Sequence, residues 1–184
     1  MYTPRAFTLI EVLITTALFA VLIGAITQLY VVFGRMVSLK QSTIGATLSV
    51  SAITDAVRGA GLEAGGVAST HVFSSTSYSS GTTTVIFELP AVDASGAPIV
   101  NTYDYVGVHA TGTSVYRFID AAPGSFRTSG TKQLTNVLDE LRFTYDQPDF
   151  ASVTSVTVDA TTSAVAAGET MFRHLRERVY LRNL

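Results

Sequence analysis

From Val12 to Phe33 the chain reads VLITTALFAVLIGAITQLYVVF, without one charge and with Thr15, Thr16, Thr27 and Gln28 as its only polar residues. A helix of about 22 residues covers roughly 33 Å, enough to cross a hydrocarbon core about 30 Å thick. A buried helix of a soluble core would show a polar face, and this run shows none. The apolar part of a secretory signal spans about 7–15 residues and ends at a small-residue cleavage site. Here the run continues into polar sequence instead, with no proline between Pro4 and Pro90. The segment from about 12 to 33 is therefore expected to span a membrane.

Beyond Arg35 the apolar residues thin to Leu39, Ile44, Leu48, Ile53 and Val57, with Lys40, Gln41, Asp55 and Arg58 on other faces. This reads as one surviving stripe on a helix that ends at Gly59, Gly61, Gly65 and Gly66. The expectation is a single helix over about 7–60, roughly 80 Å long at 1.5 Å per residue. Its first half would lie in lipid, and its second half would lay one face on a soluble domain.

After Gly66 the composition turns to Ser, Thr, Gly and β-branched residues. Strands are expected at Thr82–Leu89, Tyr103–His109, Ser114–Ile119, Leu138–Tyr145, Val153–Val158 and Arg178–Leu181, from alternation or short apolar runs. Turn clusters such as Ser79-Ser80-Gly81, Asp93-Ala94-Ser95-Gly96 and Thr111-Gly112-Thr113 separate them. Short turns between consecutive strands favour an antiparallel sheet. The fold class expected is α+β: a long N-terminal helix packed on an antiparallel β domain over 67–184. The helix would cover one sheet face, burying Val85, Phe87, Val106, Phe118, Leu141, Phe143, Val156 and Val158. The Ser/Thr-rich stretch Ser69–Thr84 is the only low-complexity tract.

Composition excludes several classes. Twelve Lys+Arg against 14 Asp+Glu leave a net charge of -2, which disfavours a protein that wraps duplex nucleic acid. No cysteine is present, so disulfides, thiolate metal sites and thiol nucleophiles are ruled out.

The N-terminal residues MYTPRA form a short leader with one basic residue, followed at once by Phe7-Thr8-Leu9-Ile10-Glu11-Val12-Leu13-Ile14. This resembles the processing site of the type IV prepilin and pseudopilin family. The resemblance implies a leader over 1–6, peptidase cleavage between Ala6 and Phe7, and a methylated N-terminus at Phe7. Ala6 stands where the family usually has glycine. Further along, the stretch from Leu134 to Asp146, then VTSVTVDA and the terminal VYLRN, resemble the larger minor pilins and the J-type minor pseudopilins of type II secretion. The membrane-helix proline and C-terminal disulfide of major pilins are absent, which leans towards a minor subunit. The resemblance implies a structural subunit assembled through its helix into a pilus-like filament, at or near the tip. Implied partners are other pilin or pseudopilin subunits, a prepilin peptidase, an inner-membrane assembly platform and membrane lipid. Charge flanking the span does not decide orientation, since Arg5 faces Arg35 and Lys40. The resemblance places the N-terminus in the cytoplasm and the β domain outside the inner membrane.

Glu11 is the only acid between Met1 and Thr54. An ionised carboxylate at the end of a membrane span calls for a partner. Cleavage after Ala6 would create one, a cationic amine at Phe7 about one helical turn away, to be neutralised by Glu11 of the same or a neighbouring helix. The bland role is a carboxylate favoured by the positive end of the helix dipole.

Other constellations are weaker. Arg173, His174, Arg176, Arg178 and Arg182 crowd the C-terminal end, with Arg176, Arg178, Tyr180 and Arg182 on one strand face. Arg176, Arg178 and Arg182 are the candidate nucleic-acid contacts, although a solvated edge strand is the commoner meaning and DNA is not an expected partner. His71, His109 and His174 have no metal-ligand spacing, and Asp146 with Asp149 falls short of a calcium loop. No metal, no cofactor and no catalytic residue is expected. The alternative to a filament subunit is a membrane-anchored β-domain binding module that does not polymerise.

Overall fold

The computed structural model describes residues 8–182 and divides into two units, one ending at Gln41 and one beginning at Ser42. A single helix, α1 (Leu9–Glu63), contributes to both. The strands that follow are β1 (Gly66–Val67), β2 (Thr70–Phe73), β3 (Thr76–Ser79), β4 (Thr84–Val92), β5 (Pro98–Thr111), β6 (Ser114–Asp120), β7 (Gly130–Thr135), β8 (Leu138–Tyr145), β9 (Ser155–Ala166) and β10 (Glu169–Tyr180). All strand pairs are antiparallel, so the α+β class expected from the sequence is the class observed.

In the first unit every residue over 8–38 is exposed, and the best window has a mean hydropathy of 2.5. Such a helix is long and apolar enough to cross a membrane. Its hydroxyls do not oppose that. Thr15 Oγ1 donates to the Glu11 carbonyl at 2.6 Å, Thr16 Oγ1 to that of Val12 at 2.9 Å and Thr27 Oγ1 to that of Ile23 at 2.8 Å. Each polar side chain of this kind is thus satisfied within the helix, as a hydrocarbon environment requires.

In the second unit the expected single sheet is instead three. The strand orders are β1-β4-β5-β6-β7, β10-β9-β8, and the small hairpin β2-β3. The two larger sheets share one core with the helix, formed by Ile53 and Val57 with Val85, Phe87, Val106, Phe143, Val156, Val158 and Val179. Backbone bonds stitch the sheets together, from Phe143 N to Thr82 O at 2.7 Å and from Leu138 N to Thr113 O at 2.8 Å. Phe118 does not join this core. It lies on the opposite face of the five-stranded sheet, ring to ring with Phe73 at 5.5 Å and Tyr78 at 4.9 Å of the β2-β3 hairpin. That hairpin arises from the Ser/Thr-rich tract and turns at Ser74 and Ser75, with φ of 46° and 73°.

The helix stripe also differs from expectation. Ile53 and Val57 are buried, but Ile44 and Leu48 are 58% and 65% exposed. The residues laid on the sheets are Ala46, Val50, Ile53, Thr54, Ala56, Val57, Ala60 and Gly61, at helical steps of three and four. Helical phase explains the difference, because at about 100° per residue Ile44 and Leu48 fall on the side of the helix opposite Ile53 and Val57. At Gly61 a Cβ would fall 2.6 Å from Val179 Cγ1, and Val179 is itself buried. Gly61→Ala is therefore expected to destabilise the β domain by about 1–3 kcal/mol despite alanine's better helix propensity. At Gly59 a Cβ would meet nothing within 4 Å. Gly59→Ala should be neutral or add about 0.5–1 kcal/mol. Chemical unfolding of the full chain in detergent micelles, followed by circular dichroism, compares the two, and equal effects would refute the close-contact account.

Candidate functional site

The helix starts on a reciprocal cap. Thr8 stands outside the first helical residue, and its Oγ1 lies 3.3 Å from the Glu11 backbone N–H as acceptor. In return Glu11 Oε2 accepts from Thr8 N at 2.9 Å and from Thr8 Oγ1 at 3.1 Å. This is the capping box encoded by Thr8-Leu9-Ile10-Glu11, which satisfies amide groups that the first turn would leave unpaired. Glu11 Oε1 makes no hydrogen bond among the described residues, so the carboxylate keeps a free oxygen and its charge. Ala6 and Phe7, the expected processing residues, lie outside the described residues.

The capping box was legible in the sequence, as a threonine three residues before a glutamate at the head of an apolar run.

Of the C-terminal arginines, Arg176 and Arg178 share one face of β10, whereas Arg173 is on the other. Along β10 the odd residues turn to the helix, where Glu177 accepts from Arg58 Nε at 2.6 Å and Nη2 at 2.7 Å. That hydrogen bond holds Glu177 below the usual carboxylate range. The even residues Phe172, His174, Arg176, Arg178 and Tyr180 face outwards. The row is not purely basic. Asp159 of β9 is paired in register with both Arg176 and Arg142, approaches Arg176 Nε at 3.9 Å and takes a 2.6 Å contact from His174 Nε2. One carboxylate thus sits amid the cations, and Arg182 lies beyond the end of the strand.

The histidines are scattered. His71 stacks on Tyr105 at 3.8 Å and pairs with Asp120 at 2.8 Å, whereas His109 Nδ1 meets Thr84 Oγ1 at 2.8 Å. Asp146 accepts from the N–H groups of Thr154 and Ser155 and from the Thr154 hydroxyl, and Asp149 caps the 3-10 helix Phe150–Ser152. Both acids are occupied in turns. Among the described residues no group of three or more metal-ligating side chains is clustered.

Sequence reasoning missed one buried acid. Asp104 is fully buried and accepts from Ala122 N at 2.7 Å, Ser125 Oγ at 2.7 Å and Arg127 Nη1 at 2.6 Å. Arg127 Nη2 continues to Glu63 at 2.6 Å, tying the loop after β6 to the last turn of α1. The signal was present, since a period of two places Asp104 on the same strand face as Val106 and Val108.

The N-terminal cap thus opens an exposed helix long and apolar enough to cross a membrane. The family model for the prokaryotic N-terminal methylation motif matches residues 1–27. The match supports a type IV prepilin-like protein, a class processed by a prepilin peptidase and built for assembly rather than catalysis. No curated protein and no solved structure matches the chain.

Proposed function

We propose that the chain is a structural subunit of a type IV pilus-like filament, a minor pilin or minor pseudopilin placed at or near the tip. It is held in the inner membrane by α1, with its N-terminus in the cytoplasm and its β domain outside. Prepilin peptidase cuts between Ala6 and Phe7, the new amine is methylated, and the assembly platform passes the subunit from lipid into a bundle of like helices. The observation that carries the reading is the exposure of residues 8–38, an apolar surface that only lipid or neighbouring helices would cover. The motif over residues 1–27 supports the processing step. Glu11, with one free oxygen in the cap, is the assembly residue that would receive the Phe7 amine.

N-terminal sequencing of protein extracted from membranes should read methylated Phe7 as the first residue, and an intact Met1 in cells with active prepilin peptidase would sink the proposal. Mass spectrometry of sheared filaments should find the chain at low stoichiometry. Dominance there would overturn the minor placement.

A further inference from the structure

A cavity of about 610 Å³ lies on the outer side of the five-stranded sheet. It exists because the β4-β5 ladder breaks. Pro90 pairs with Tyr103 but Val92 pairs with Pro98, so β5 carries extra residues that arch out, turning at Asn101 with a φ of 54°. Proline supplies no N–H to a ladder and is tolerated where strands part. The arch forms one wall, and the 3-10 helix Phe150–Ser152 with Gly65–Gly66 forms the other.

The lining is one-signed. Glu88 and Asp149 bring two carboxylates, Tyr103 and Phe150 bring two aromatic rings, and among the described residues no lysine, arginine or histidine lines the groove. Asp149 spends its oxygens on neutral donors, Ala151 N and Ser152 Oγ, which leave its charge unpaired. Glu88 stands opposite Tyr105 across the β4-β5 ladder, a neutral neighbour. Carboxylates beside aromatic faces in a concave site favour a cation. The rim is apolar, with Val100 80% exposed and Ile99 and Pro98 beside it, which suits a side chain carried between apolar neighbours rather than a small free cation.

We propose that this groove is a docking site for an arginine- or lysine-bearing extended segment of a neighbouring filament subunit. The groove's own chemistry stands apart from the filament reading, whereas the identity of its donor rests on it.

The first arm uses the full chain in detergent micelles and a fluorescein-labelled tetrapeptide amide carrying one arginine between two valines. Fluorescence anisotropy should show saturable binding, and the citrulline isostere should bind about tenfold or more weakly, as expected when a charge-assisted hydrogen bond is lost. Glu88→Gln and Asp149→Asn should each weaken the arginine peptide by about fivefold or more, and asparagine still caps the 3-10 helix. Asp139→Asn, an exposed site on β8, should change nothing. Absence of binding, equal affinity for both peptides, equal loss in Asp139→Asn, or displacement by equimolar spermidine would each overturn the docking site.

The second arm places a photo-reactive phenylalanine at Val100 in cells. The cross-link in sheared filaments should map to a segment of another subunit that contains lysine or arginine and should vanish with Glu88→Gln. A filament-borne chain that cross-links nothing at Val100 overturns the docking proposal. A chain absent from filaments, with peptide binding intact, overturns the neighbouring subunit as donor and the filament reading with it, but leaves the groove's preference for a cation standing.

Discussion

Asp104→Ala is expected to lower the unfolding free energy of the β domain by about 3–5 kcal/mol, the cost typical of removing one partner from a buried pair. The carboxylate is fully buried and takes three donors at 2.6–2.7 Å. Without it the Ala122 amide, the Ser125 hydroxyl and one edge of the Arg127 guanidinium lose their acceptor in a largely buried site. Burial opposes the charge on Arg127, and the hydrogen bonds to Asp104 and Glu63 more than offset this, raising its pKa. Asp104→Asn keeps the shape but turns an N–H group towards one donor, so it should fall between the two. The double variant Asp104→Ala with Arg127→Met should lose about 0.5–3 kcal/mol less than the sum of the single changes, because the stranded charge goes with its partner. Guanidinium unfolding of the full chain in detergent, read by circular dichroism, makes the comparison. A loss in Asp104→Ala below about 1 kcal/mol, the range of an ordinary exposed hydrogen bond, would show that the cluster is not closed to water.

The second large effect concerns assembly, and the capping box makes it separable from helix formation. Glu11→Ala removes both the cap and the charge. Glu11→Gln keeps the cap, since glutamine serves at this position of the box, and removes only the charge. If Glu11 neutralises the amine of Phe7 inside a helix bundle, both variants should insert into the membrane at least as well as the parent chain. Both should then be recovered in sheared filaments about tenfold less at matched membrane levels, because a cation would be stranded in a low-dielectric bundle. If Glu11 only starts the helix, Glu11→Gln should be recovered like the parent and Glu11→Ala should show the loss. Thr8→Val completes the set by removing the side-chain acceptor of the cap while leaving the carboxylate. A filament defect in Thr8→Val equal to that of Glu11→Ala would assign the residue to capping.

The membrane-capable helix was readable from residues alone because its determinants are local. Absence of charge over Val12–Phe33 and absence of proline depend on no distant contact, and the Thr8–Glu11 cap lies within one turn. Strands with strong alternation, such as β6 and β8, were visible for the same reason. What escaped had weak local signals. The β2-β3 hairpin turns on Ser74-Ser75 and the β9-β10 hairpin on Ala167-Gly168, with φ of 53° and 84°, where a serine pair or an alanine announces no such turn. Hence β10 was expected only at its end, over Arg178–Leu181, although it begins at Glu169.

Local periodicity told which residues alternate, but not which face would be covered or how closely. Helical phase puts Ile44 and Leu48 on the side opposite Ile53 and Val57, so they stay out while Ala46, Val50, Ala56 and Ala60 go in. At Gly61 the contact with Val179 leaves no room for a Cβ. Phe118 likewise turned to the hairpin face, because Phe73 packs over Gly107 beside it, and a Cβ at Gly107 would lie 2.9 Å from the Phe73 ring. Local residue chemistry sets where the chain meets an apolar phase and where it alternates. Which small residues make the interface, which acid is buried against Arg127 and where two carboxylates border a groove depend instead on close packing between segments far apart in the chain.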